Sequence, residues 1–197
     1  MKTIKLSQSS LSLMIECPNC FWMQIKQGIR RPNTPFPSLP NGVDKVIKKM
    51  MDRYRLKGKL PPELAELNPE GFKLLKDQTT LDNWRNCFKG LQHKDEDSGI
   101  ILTGAIDDLL VDKDGKIAVL DFKTRGYPPN SNSADYYRLQ LNIYTYLLKE
   151  NGLDTHNFGF LLFYYPIELR QRNFKFKYEL IKVEIDCCAQ NAVSPPK

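Results

Sequence analysis

The chain has 197 residues, 41% of them hydrophobic and 26% charged, which is too much apolar material for a disordered protein and enough for one packed domain. No apolar run reaches the length that spans a bilayer, and the apolar stretches of residues 1–17 are too short and interrupted for a signal peptide, so a cytoplasmic protein with no membrane segment is expected. The formal charge of +6 is uneven: residues 24–59 carry ten basic and two acidic side chains, either a surface that draws a polyanionic partner or simply a solvated basic face.

In chain order, Ser9, Ser10 or Ser12 can cap a first helix that runs to about Gln27. Pro32, Pro35, Pro37 and Pro40 then forbid regular structure. Val43, Val46, Ile47, Met50, Met51 and Tyr54 recur at helical spacing, with Lys and Arg on the other side, and predict an amphipathic helix. Residues 58–98 show little pattern beyond turns and an exposed charged loop that includes His93. Residues 100–112 and 116–123 are two β-rich runs joined through Lys113, Asp114 and Gly115, which predicts a hairpin. A loop leads to a helix over 134–151 that is apolar nearly all round. A strong strand near 157–166 and an alternating outer strand near 174–186 follow. The order predicts an α/β fold with a mixed sheet.

The chemistry lies in the hairpin. Asp121 and Lys123 are two residues apart on a strand and share one face, while Ala118, Leu120 and Phe122 point to the other. A three-residue turn with Gly115 in the left-handed region pairs Asp112 with Lys116 and, counting back, Asp107 with Asp121. A two-residue turn would set Asp108 there instead; the first register is preferred. Two opposed carboxylates repel unless a cation lies between them, and hard oxygen ligands select Mg²⁺ or Mn²⁺. The main-chain carbonyl of Phe122 is a natural further ligand. Lys123 can stabilise developing negative charge or orient a water. On the following helix Tyr137, Gln140 and Tyr144 share a face: the amide can hold water or phosphate, and the rings can support the site or stack on bases. Each piece alone is weak, since a D-x-K triplet is usually a surface ion pair and a tyrosine-rich helix is usually core. Their order carries the signal.

Gly104-Ala105-Ile106-Asp107, then Asp121-Phe122-Lys123-Thr124, then Tyr137-Arg138-Leu139-Gln140 continuing to Tyr144, together resemble the PD-(D/E)XK nuclease superfamily, in its RecB-like branch with CRISPR-associated exonucleases. Ser10-Leu11-Ser12 with Cys17-Pro18 also resembles that branch's first helix. The resemblance implies a restriction-endonuclease-like core (α-β-β-β-α-β), a mixed central sheet flanked by helices, over one domain of residues 1–197. Residues 1–60 would be a basic helical part and 99–186 the catalytic core. It implies Mg²⁺- or Mn²⁺-dependent DNA cleavage, as an endo- or exonuclease in repair, recombination or CRISPR adaptation, with a helicase or an adaptation protein as partner. Asp107 and Asp121 would bind metal, Lys123 would be catalytic and Gln140 would support the site. The alternative is a catalytically inactive nucleic-acid-binding module, or an accessory subunit, that keeps the fold.

Two departures stand out. Relatives often carry a metal-binding His in the helix before the sheet; here that helix has none, His93 and His156 lie elsewhere, and Asp44 is a candidate substitute. Several relatives hold a 4Fe–4S cluster on cysteines from both ends of the chain. Cys17 and Cys20 form a half-site for a cluster or zinc, but the adjacent pair Cys187 and Cys188 is poor geometry for completing it. The plainer expectation is that Cys17 and Cys20 are small buried hydrophobes.

Overall fold

The computed structural model describes residues 3–32, 38–66, 71–86, 88–169 and 173–186. The chain opens on a short strand, β1 (Lys5–Ser7), missed in the sequence reading. Ser7, not one of the later serines, caps helix α1 (Gln8–Glu16) through a reciprocal pair with Ser10. The expected single helix to Gln27 is broken at Cys17, whose extended backbone ends α1 and caps α2 (Pro18–Trp22). A π-helical turn over Met23–Gln27 closes on Gly28 at φ 71°. Helix α3 (Ser38–Leu56) takes Pro40 into its first turn, where no intrahelical N–H is needed, so that proline does not exclude helix as expected. Its apolar stripe buries Ile47 and Met51, although Val46 is exposed.

The sparsely patterned stretch contains α4 (Pro62–Ala65), β2 (Lys73–Leu74), α5 (Gln78–Arg85) and β3 (Leu91–Lys94). His93 therefore lies on a strand, paired with Leu102, and not in the charged loop. The run 100–112 is not one strand. It divides into β4 (Ile101–Gly104) and β5 (Asp108–Val111), which belong to different sheets. The division leaves Ala105–Asp107 outside any ladder. Then come β6 (Ile117–Thr124), α6 (Ser133–Glu150), β7 (Phe158–Leu169) and β8 (Asn173–Glu184).

The five-stranded sheet runs β2-β5-β6-β7-β8 and is mixed: β6 and β7 are parallel across α6, and the other pairs are antiparallel. A three-stranded sheet, β1-β4-β3, lies apart from it. Alternation along β6 feeds two cores. Ile117 and Val119 join Leu141, Leu147 and Leu148 of α6, while Ala118, Leu120 and Phe122 join Ile47 and Met51 of α3. Helices thus cover both faces of the central strand, as a restriction-endonuclease-like α/β fold requires. Gly104 has a packing reason of its own: a Cβ there would lie 2.8 Å from Leu147 Cδ1 and 3.0 Å from the Tyr144 ring, so only glycine lets α6 lie this close to β4.

Candidate active site

The hairpin turn sets the register as expected. Gly115 takes φ 86°, the Asp112 N–H donates to the Lys116 carbonyl, and Asp108 pairs with Leu120. One step further, Asp107 falls level with Asp121, just past the last paired residues of β5. Its Oδ2 accepts the Phe122 N–H at 3.0 Å. Its Oδ1 meets the Lys48 ammonium of α3 at 2.7 Å.

Asp121 is only 1% exposed and has a matching division of labour. Its Oδ1 accepts from Gln140 Nε2 at 2.8 Å. Its buried Oδ2 forms an ion pair with the Lys123 ammonium at 2.6 Å and meets no other donor. Burial, and after it the charge of Asp107, push the Asp121 carboxyl up to about 7, with Lys123 pulling the other way. Gln140 closes the circuit: Lys123 donates to its Oε1 at 2.9 Å, and its Nε2 also donates to the Tyr144 hydroxyl at 3.0 Å. Tyr137 receives the Lys123 ammonium on its ring face, 4.4 Å from the centroid. Asp107, Asp121, Lys123, Gln140, Tyr137 and Tyr144 are therefore brought together at one end of β6.

Sequence reasoning missed how Asp107 is held. Arg85, at the end of α5, donates through Nε to the Asp107 carbonyl at 2.7 Å, and the Ile106 N–H donates to the Trp84 carbonyl at 3.0 Å. The same guanidinium reaches Asp52 at 2.8 Å and Asp108 at 3.2 Å. Asp108 is fully buried and accepts two hydrogen bonds from Arg55 Nη2, at 2.9 and 2.7 Å. The acid that an alternative turn would have offered to the site is thus a structural counter-ion. Lys48 was also missed. It lies between Asp107 and Asp44, which is 2.9 Å away; burial opposes its charge, but the two carboxylates prevail and raise its pKa. Both residues were visible only as members of a basic helix and a patternless stretch.

The histidines do other work. His156 bonds Asp112, at the far end of β5 from Asp107, and His93 contacts Glu150. Cys17 and Cys20 are half-buried rather than buried, with sulfurs 2.8 Å apart. Cys187 and Cys188 lie outside the described residues. Among the described residues no cluster of three or more His, Cys, Asp or Glu side chains could hold a metal ion. The acids Asp107 and Asp121 nevertheless suit a hard cation: each has one oxygen fixed by an amide N–H and one facing a lysine.

A mixed sheet flanked by helices thus carries two acids, a lysine and a glutamine at one strand end. The model of the PD-(D/E)XK nuclease superfamily matches residues 31–190, and the chain belongs to that superfamily. No curated protein matches it. Among the described residues no helix is long and apolar enough to cross a membrane.

Proposed function

We propose that the chain is a divalent-metal-dependent nuclease that hydrolyses DNA phosphodiester bonds. The observation that carries this reading is the buried Asp121 carboxyl, raised by burial and by the charge of Asp107, with the Lys123 ammonium 2.6 Å from its Oδ2. Asp107 and Asp121 would hold Mg²⁺ or Mn²⁺, with the Phe122 main-chain carbonyl as a further ligand. When bound, such an ion supplies Lewis acidity, polarising a phosphoryl oxygen and acidifying a water. The protein's own groups do the rest. Gln140 and Tyr137 hold the Lys123 ammonium in place, where it can hydrogen-bond to charge that develops on the phosphate. The Phe122 N–H and Gln140 fix the acids before substrate arrives, so little reorganisation is needed. The exposed Lys45, Lys49 and Arg53 of α3 favour a polyanion nearby, whereas Arg55 and Lys48 turn inward. The RecB-like order of motifs favours exonuclease or endonuclease work in repair, recombination or CRISPR adaptation, beside a helicase or adaptation partner.

A second reading, a nucleic-acid-binding module or accessory subunit without catalysis, is favoured by Lys48, whose ammonium takes the Asp107 oxygen that a metal needs. Labelled single- and double-stranded DNA, incubated with Mg²⁺, Mn²⁺ or EDTA, separates the two. Cleavage with metal that Asp121→Ala or Lys123→Ala abolishes is the expected result. Binding without cleavage under either metal selects the second reading.

A further inference from the structure

Past the end of β6 the chain turns through Arg125 and Tyr127 before entering α6. Between this turn and the first residues of α6 lies a groove of about 510 Å³, lined by Arg125, Tyr127, Asn130, Ser133, Tyr136 and Tyr137 among others. That volume is in the range that accepts a small organic ligand. Two of its tyrosines are left to solvent: Tyr127 is 62% exposed and Tyr136 79%. Large aromatic faces turned to water beside a cation are the usual makings of a stacking surface.

The groove is joined to the acids through a single ring. Tyr137 holds the Lys123 ammonium on its face and meets Tyr136 edge-on, with centroids 4.9 Å apart. On the other side the Arg125 guanidinium lies 4.5 Å from the Tyr127 centroid and donates to the Ser133 hydroxyl. Ser133 is buried and also bonds Asn130, so the arginine is anchored to the start of α6. The one acid of that first turn, Asp135, is tied to Arg138 at 2.6 Å. The groove therefore combines planar walls, a fixed positive charge and amide groups, a short step from the lysine of the site. A nucleobase with its adjoining phosphate matches all three: the ring stacks, the amide can meet its edge, and the arginine can meet the phosphate.

We propose that this groove receives an unpaired nucleobase next to the scissile phosphate, which makes single strands or frayed ends the preferred substrate. A base inside a duplex would have to leave its stack to enter, and an unpaired base has the least to lose. The proposal rests on the nuclease reading for its register, and the experiment keeps the two apart. A labelled single-stranded oligonucleotide and the matching blunt duplex are titrated in EDTA with wild type, Tyr127→Ala, Tyr136→Ala and the two Tyr→Phe variants, and the same set is assayed for cleavage with Mg²⁺. Both tyrosines are surface residues, and circular dichroism checks that the variants fold. The alanine variants are expected to weaken single-strand binding about tenfold each, in line with loss of one stacking partner, while duplex binding is unchanged and phenylalanine restores the affinity. Equal losses on both substrates, no loss on either, or failure of phenylalanine to rescue overturns the groove. Cleavage by wild type with unaffected tyrosine variants removes the groove and leaves the nuclease reading intact. Tyrosine-dependent binding without cleavage does the reverse. A chain that binds neither oligonucleotide overturns both.

Discussion

The two acids of the site share one pattern of contacts, an amide N–H on one oxygen and a lysine on the other, but differ in what stands behind them. Asp107 sits outside the ladder among charged groups as well as the Phe122 N–H: Lys48 on its carboxylate, Arg85 on its carbonyl, and behind them the buried pair of Arg55 and Asp108 with the partly exposed Asp52. Asp121 sits within a central strand and is fixed by neutral groups from α6, with Lys123 as its one cation. The charged half fixes where a loop lies, which hydrophobic packing alone does poorly. The neutral half keeps an acid buried, where burial and the charge of Asp107 raise its carboxyl to about 7. A site built this way has a rigid wall and a responsive wall.

Breaking the rigid wall carries the largest cost. Removing one partner of a buried ion pair leaves the other uncompensated, so Arg55→Ala or Asp108→Ala is expected to lose about 3–5 kcal/mol of stability, read by urea unfolding. On the responsive wall, Gln140→Ala is expected to lower activity or metal affinity roughly 10–100-fold with much less effect on the unfolding midpoint, because it frees both Asp121 and Lys123. The responsive wall also titrates. The Asp121 carboxyl is raised to about 7 in the metal-free fold, above its unfolded value, so the protonated fold is favoured at low pH. That contribution is complete below the ordinary carboxylate range and is lost as pH rises through about 7. Mg²⁺ needs the ionised acid, so its stabilising effect should be small under acidic conditions and grow through neutrality, as unfolding in Mg²⁺ and in EDTA across pH would show. The smallest effect belongs to Lys48→Met. Removing a cation that competes for Asp107 should tighten Mn²⁺ binding roughly two- to fivefold, the worth of a partly exposed ion pair; weaker binding would instead make Lys48 a supporting group.

The responsive wall was legible in the sequence and the rigid one was not. D-K-D-G-K dictates a turn, the turn dictates the register, and the register sets Asp107 level with Asp121. Spacing on α6 likewise put Tyr137, Gln140 and Tyr144 on one face. Arg85 and Lys48 act across separations of 22 and 59 residues, and no local period announces such contacts. The split between β4 and β5 was hidden for a related reason. Ile101 to Val111 reads as one β-rich run, and only packing of α6 against Gly104 and the pull of α5 on Ile106 and Asp107 break it. Ser7 and β1 were overlooked because three later serines offered equally good caps. Helix α3 was found, but its lysines looked alike, and one of three neighbours turns inward.

Calorimetric titration of Mn²⁺ into the wild type, Asp107→Asn and Asp121→Asn tests the shared cation most directly. One site in the wild type that is lost in each variant, with folding preserved, is the expected result. Unchanged Mn²⁺ binding in either variant would contradict a cation held between these two carboxylates.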